Sequence, residues 1–386
     1  MFNKITEFFD RKFSPVKPVP AGIYQYTTPE NADPPYKLHL RVEEDGEGIL
    51  IINARTVLHL NRTAAEFAYH LVQGKQPDEI RALEAERFDA DADQIGSDLE
   101  EFIAQINTLI ATEDLDPVSY LNMERVTPYS GKLSAPYRLD CALTYRVSAG
   151  TSADAAPAER VSRDLSTDEW KAVLDKVWSA GIPHVNFTGG EPTLRDDLAD
   201  LIGYAEQLGI VTGLLTDGLR LADKKYAVSL LNKGLDHIML LVQPDRKEFW
   251  KTLANLMPEN IAVTAHITVT PENKGSVNDL LDKLSAQGVA SISLSARDSS
   301  LAQELEAAVQ HAAHLGMQPT WDLPVPYSDL HPVALEIQSA DRDIPKGAGH
   351  AWLYVEPDGD VLPEQGVNRV LGNLLGDPWD KIWKKH

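Results

Sequence analysis

The chain of 386 residues has a single cysteine, Cys141. That excludes a disulfide framework within the chain, and with it any zinc or iron–sulfur site built on cysteines alone. Long apolar runs are also missing: none reaches the roughly 18 residues that a membrane-spanning helix needs, so no membrane partner is expected. The opening stretch MFNKITEFFDRKFSPVKPVP lacks the apolar core of a secretory signal, and the sequence therefore predicts a cytoplasmic protein. Positive charge is scarce. Thirty-six Lys and Arg stand against 58 Asp and Glu, a net charge of −22, whereas a nucleic-acid partner calls for a basic face. No G-x-S-x-G, Walker A or H-E-x-x-H pattern occurs.

What is present is unevenly placed. Residues 76–118 carry thirteen acidic residues against Arg81 and Arg87, half of the net charge in about a ninth of the chain. Such a run reads first as a solvated helical surface and second as a face that favours a basic partner.

Five segments follow from the patterning. Residues 1–35 are a proline-rich lead-in of turns and extended chain. Residues 36–112 form a small α+β domain. YKLHLRV and GILIINA alternate about EEDGEG as a hairpin, and TVLHL adds a short strand. Thr63-x-x-Glu66 reads as a capping box, Gly74 ends that helix, and Pro77 opens a second one carrying Ile80 and Leu83. A third helix runs from about Asp93 with Ile95, Leu99, Phe102, Ile103, Ile106 and Ile110 on one face. Residues 113–135 are a linker. Residues 136–330 alternate strand and helix, from YRLDCALTYRV through the helix capped by Ser166-x-x-Glu169 to QPTWDLPVP. Repeated βα units predict a parallel sheet, as a partial or complete barrel or, alternatively, an open doubly wound sheet. Residues 331–386 are a tail: a hairpin about Asp358-Gly359, then a short helix after Pro378 with Trp379, Ile382 and Trp383.

The stretch Phe187-Thr188-Gly189-Gly190-Glu191-Pro192-Thr193-Leu194-Arg195 follows a strand directly. Two glycines allow a sharp turn and a close ligand, and a carboxylate there can accept hydrogen bonds from an ammonium group. A plain structural turn gives the same spacing. Elsewhere, Asp217-Gly218 closes another strand, Trp321-Asp322 follows a late one, and His311 and His314 lie three apart on a helix, where surface histidines explain them more simply than a metal.

The GGEPTL stretch resembles the S-adenosylmethionine (SAM) motif of radical SAM enzymes, and Leu143-Thr144-Tyr145-Arg146 resembles the phrase before that family's C-x3-C-x2-C cluster motif. The tail LYVEPDGDVLPEQGVNRVLGNLL is similar to the C-terminal extension of peptide-modifying SPASM or twitch members. Residues 36–112 resemble the PqqD-like winged-helix domain, which binds leader peptides by strand addition. The resemblance implies a radical-SAM-like partial TIM barrel, with Gly189, Gly190, Glu191 and Pro192 as the SAM-type motif.

This sequence departs from the pattern where it matters most. The cluster positions fall at Val147, Thr151 and Asp154, and Pro363-Glu364-Gln365 stands where the family commonly has Pro-Cys-Gln. Valine offers no donor, and Thr and Asp are hard oxygen ligands. Cys141, inside a strand, reads as a buried structural thiol. The expectation is therefore a chain without a [4Fe–4S] cluster, with weak SAM affinity at most and no catalytic residue of its own. It is read as a pseudoenzyme of ribosomal-peptide maturation that binds a peptide substrate or leader peptide, an active radical SAM paralogue, or both. Two alternatives stay open: an enzyme using SAM or a non-cluster metal in the barrel, and a purely structural partner.

Overall fold

The structure, a computed structural model, describes residues 19–29, 32–53, 56–88, 91–112, 133–152, 155–320 and 347–383. Asp154, Trp321, Asp322 and almost all of the linker expected at 113–135 fall outside the described residues. The chain forms two units, Met1–Val126 and Thr127–His386.

In the first unit, β1 (Gly22–Thr27), β2 (Lys37–Val42), β3 (Gly48–Ile52) and β4 (Thr56–Leu60) make an antiparallel sheet in chain order. The expected lead-in is therefore partly strand: β1 pairs with β2 from Gly22 opposite Val42 to Thr27 opposite Lys37. The segment 22–27, GIYQYT, is β-prone, and Tyr24 locks it down by an edge-on contact with Tyr69 at 4.8 Å. One face of the sheet, with Leu38, Leu40, Val42, Leu50, Ile52, Leu58 and Leu60, packs on three helices through Phe67, Ile80, Leu99, Phe102 and Ile106. These helices are α1 (Arg62–Val72), α2 (Pro77–Phe88) and α3 (Ala92–Ala111).

Two details of this unit correct the sequence reading. The N-cap of α1 is Asn61, whose side chain accepts from Ala64 N at 3.0 Å, so the Thr63–Glu66 box does not form. Asn is as good a cap as Thr and comes first after the strand. Glu66 instead turns inward to Arg87, at 2.6 and 3.2 Å. On α2, Leu83 is 40% exposed and Glu84 is fully buried, 2.9 Å from His70 Nε2. Glu84 takes the inward position that the spacing assigns to an apolar side chain, with His70 of α1 as its partner.

The second unit is one open ten-stranded sheet in the order β11-β10-β9-β8-β7-β6-β5-β12-β13-β14. Its parallel strands are β5 (Arg138–Thr144), β6 (His184–Gly189), β7 (Val211–Thr216), β8 (His237–Leu241), β9 (Ala262–Val269), β10 (Ser291–Ala296) and β11 (Gln318–Pro319). Helices α4 (Thr167–Ser179), α5 (Leu198–Leu208), α6 (Lys224–Leu231), α7 (Lys247–Leu256), α8 (Val277–Ala286) and α9 (Ala302–His314) connect them. From β5 to β11 successive strands are neighbours, so the order does not reverse along the βα units and the doubly wound alternative is excluded. This is the winding of a barrel, without closure among the described residues. The box on α4 forms as read, with Ser166 N donating to Glu169 Oε2 at 2.9 Å.

The tail is not a separate appendage. Strand β12 (Trp352–Val355) lies parallel to β5, from Trp352 opposite Arg138 to Val355 opposite Cys141. The hairpin about Asp358-Gly359 returns as β13 (Asp360–Leu362), next to β14 (Gly372–Asn373), and α10 (Trp379–Ile382) follows, with Ile382 and Trp383 buried. The sheet continues into a segment that the sequence pattern had set apart.

Candidate functional site

Strand β6 ends at Gly189, and the chain turns through Gly190 and Glu191 into a single 3-10 turn at Pro192–Leu194. Both glycines are required by a close approach. A Cβ on Gly189, where φ is 123°, would stand 2.3 Å from the Thr144 carbonyl oxygen. One on Gly190 would stand 2.2 Å from that of Arg146. The two segments are laced together: Gly190 N donates to Thr144 O and Glu191 N to Arg146 O, each at 2.7 Å.

Glu191 is 2% exposed. Its Oε1 accepts from Thr193 N at 3.0 Å, Thr193 Oγ1 at 2.5 Å and Thr216 Oγ1 at 2.7 Å, and its Oε2 accepts from Asp217 N at 2.7 Å. All of these donors are the protein's own. The side chain caps the 3-10 turn and ties the end of β6 to the end of β7. Burial, and after it the charge of Asp217, push the Glu191 carboxyl up to about 8, while the donors pull the other way. Asp217 is itself held in a turn, accepting from Leu219 N at 2.9 Å ahead of Gly218 at φ 74°.

Next to this turn lies the segment that carries the expected cluster positions. Val147 is half-buried; Thr151 is exposed, its N–H donating to Ser148 O at 3.1 Å. Cys141 sits fully buried in β5, and burial with the neighbouring Asp140 holds its thiol well above the usual range. A protonated thiol inside a strand is no ligand. The residues present at 147 and 151 do not fit a [4Fe–4S] cluster, which takes thiolates.

No pattern in the sequence points to what holds this segment. The Tyr145 hydroxyl donates to Glu356, and Arg160 reaches Glu356 Oε1 at 3.2 Å and Asp360 Oδ2 at 2.7 Å. Arg160 N donates to the Tyr145 oxygen at 3.3 Å. Glu356 is 4% exposed; burial raises its carboxyl, and Tyr145 and Arg160 offset part of that. The only available signal was a pair of acids flanking a hairpin turn, which reads as solubility. Beside this network, Thr144, Tyr145, Arg146, Glu159, Val161, Ser162 and Asp164 line a polar cleft of about 370 Å³.

Strand register places a second set of polar groups on one face of the sheet: Arg138 and Asp140, His184 and Asn186, His237, Thr264 and His266, and Ser291, Ser293 and Ser295. Hydroxyls link β9 to β10, with Thr264 to Ser291 at 2.9 Å, His266 Nδ1 to Ser293 at 2.9 Å and Thr268 to Ser295 at 3.1 Å. His311 and His314 do not come together on a ligand: His311 Nε2 lies 2.9 Å from Asp282 of α8, and His314 is exposed.

Comparison with known proteins agrees with this architecture. Residues 141–284 match the model of the radical SAM superfamily, and residues 48–108 that of coenzyme PQQ synthesis protein D (PqqD). Among curated relatives, the PqqA peptide cyclase of Rhodopseudomonas palustris is 41% identical over 85 residues, 22% of this chain and 22% of the relative. That of Streptomyces rochei is 34% identical over 113 residues, 29% of this chain and 31% of the relative. The chain thus spans less than a third of the length of these relatives. Among solved structures, Streptococcus suis SuiB bound to S-adenosylmethionine superposes with a TM-score of 0.56 at 16% identity, over 93% of this chain and 88% of that one. SuiB bound to precursor peptide SuiA gives 0.57 at 17% identity, over 89% and 86%. That likeness is one of fold; the two family matches place in one chain a domain similar to PqqD and, after it, one similar to the radical SAM superfamily.

Proposed function

We propose that this protein is a peptide-binding member of a ribosomal-peptide maturation system that does not itself cleave SAM. The observation that carries the first half is the sheet of the PqqD-like unit. Strand β4 pairs only with β3 among the described residues, and such an edge accepts an extended peptide by main-chain hydrogen bonds. The names of the relatives, PqqA peptide cyclase and SuiB with its precursor peptide, support a precursor peptide as the ligand. The acidic run on α2 and α3 favours basic peptides, chiefly through association rate.

The second half rests on donor chemistry. With Val147 and Thr151 at two cluster positions and the one thiol buried, no reductant reaches SAM through this chain. In this reading the turn at Gly189–Pro192 is kept for its structural job, and SAM affinity is weak because both side-chain oxygens of Glu191 are already engaged by internal donors. An active radical SAM paralogue would then supply the chemistry.

Two measurements test the reading. Titrating the full chain with the precursor peptide encoded beside its gene should give binding that weakens with salt and is lost when proline is placed at Val57, Leu58 or His59 in turn. No binding by the unaltered chain overturns peptide recognition. Anaerobic reconstitution should leave no stoichiometric iron and sulfide; 5′-deoxyadenosine formed above a no-protein control under strong reductant refutes the inactive reading.

A further inference from the structure

Gly213 sits in the middle of β7 with no turn to make, and no positive φ requires a glycine there. What requires it is space. A Cβ at that position would lie 1.9 Å from Asn186 Oδ1, 2.2 Å from His237 Cε1 and 2.5 Å from His237 Nε2. His237 Nε2 in turn faces His184 Nε2 at 2.8 Å. The missing side chain of β7 thus leaves a niche that the Asn186 amide oxygen and the His237 imidazole fill from β6 and β8, with His184 Nε2 beside them.

The amide oxygen is there by construction. Asn186 Nδ2 donates to Asp140 Oδ1 at 3.0 Å, and a carboxylate accepts only from the NH2 end of an amide, so Oδ1 must point the other way. Asp140 is itself locked by Arg138, at 2.8 and 3.0 Å, and the Arg138 guanidinium lies 4.9 Å from the centre of the Trp352 ring. Asn186 is 2% exposed, and its Oδ1 meets no hydrogen-bond donor among the described residues. A buried carbonyl oxygen left in that condition costs free energy unless something electropositive occupies the space in front of it. The two Nε2 atoms face one another at 2.8 Å, and Asn186 Oδ1 takes no part in that hydrogen bond.

We propose that His184, His237 and Asn186 bind one divalent first-row transition-metal ion. Two imidazoles and a neutral oxygen suit Zn²⁺, Co²⁺, Ni²⁺ or Cu²⁺, with water completing the shell. Metal–nitrogen bonds of about 2.0–2.1 Å require the two Nε2 atoms to part by only about half an ångström. The Asp140–Arg138 pair behind Asn186 is the kind of outer support that orients a ligand. The niche lies at the start of β6, about 17 Å along the strand from the turn at Gly189 at ~3.3 Å per residue, so it is distinct from the site around Glu191. A bound ion would clip β6 to β8 across β7.

The test uses the full chain, purified without a histidine tag and stripped with chelator. Titration with Co²⁺, followed by visible d–d absorbance, and with Zn²⁺, by calorimetry, should each show one ion per chain. His237→Gln should weaken uptake by about 100-fold or more, and the surface variant His311→Gln should leave it unchanged. Asn186→Asp, which adds a charged oxygen, should tighten it by about tenfold and shows its effect even where the His237 variant fails to fold. No saturable uptake by the unaltered chain overturns the proposal, as does equal affinity in the His237 and His311 variants or an unchanged affinity in Asn186→Asp.

Discussion

The turn at Gly189–Leu194 and the residues Tyr145 and Arg160 both lie beside the end of β5, and they are held in opposite ways. The turn is fixed locally. Its glycines touch backbone, and its carboxylate is surrounded by donors from the same turn and from the neighbouring strand. Tyr145 and Arg160 are fixed from a distance, reaching to Glu356 and Asp360 in the tail hairpin. Under the proposed reading, a motif whose residues also hold the fold together persists after its ligand chemistry has gone, because losing them costs stability. Cluster cysteines on an exposed loop carry no such second duty. An intact GGEP stretch is therefore weaker testimony to a bound cofactor than its specificity suggests.

The comparison breaks first at Gly190. Gly190→Ala should destabilise the second unit by about 3 kcal/mol or more, since the added carbon meets two backbone carbonyls, while Gly376→Ala, with no atom within 4 Å, should change stability by less than about 0.5 kcal/mol. Urea midpoints of both variants check this.

Next comes the pH dependence of Glu191. An acid held at about 8 when folded and about 4.5 when free binds more protons in the native state. Its contribution to stability is complete below about pH 4.5 and is lost as the pH rises through about 8, by roughly 1.4 kcal/mol per pKa unit. Asp217→Asn removes the like charge, lowers the Glu191 carboxyl and should flatten the decline between pH 5 and 8. Unfolding curves at pH 5, 6.5 and 8 decide it; parallel slopes in the two proteins would remove Asp217 from the account.

For the distant tie, Arg160→Met leaves Glu356 buried without its cation. The expected loss is about 1–2 kcal/mol, discounted because the arginine is partly exposed, together with faster protease cutting between 147 and 160. Adding Glu356→Gln should recover part of the loss. The smallest expected change in stability attends Val147→Cys, Thr151→Cys and Asp154→Cys made together. That variant should take up iron and sulfide on anaerobic reconstitution, whereas the parent should not, and Glu364 in the tail argues against turnover in either.

Much of the fold was legible because it is local. The capping box at Ser166 and Glu169, the stripe of α3 and the Asp358-Gly359 turn all form where spacing placed them, since their partners are a few residues away. Errors arose where a distant partner intervened. Glu84 is buried because His70 waits on another helix, β1 is a strand because β2 takes it up, and β12 joins the large sheet because β5 offers an edge. The site was legible in position but not in orientation. The sequence located Glu191 after a strand, but not the two hydroxyls and two amides that turn its carboxylate inward. The cluster of Asn186, His184 and His237 was invisible for the same reason, since its side chains come from two strands with a third between them; its one written trace is a glycine in the middle of that third strand.

The parallel seam between β5 and β12 also has a consequence in time. Tyr145, just past β5, and Glu356, just past β12, are 211 residues apart in the chain. At about 5–20 residues per second on a ribosome, β5 waits some 10–40 s after its own synthesis before the strand that covers its edge exists. Throughout that interval an edge bearing Leu139, Cys141 and Leu143 is open to any passing strand. A nascent chain stalled before residue 350 should therefore be a strong chaperone client, and its release should coincide with the emergence of the tail.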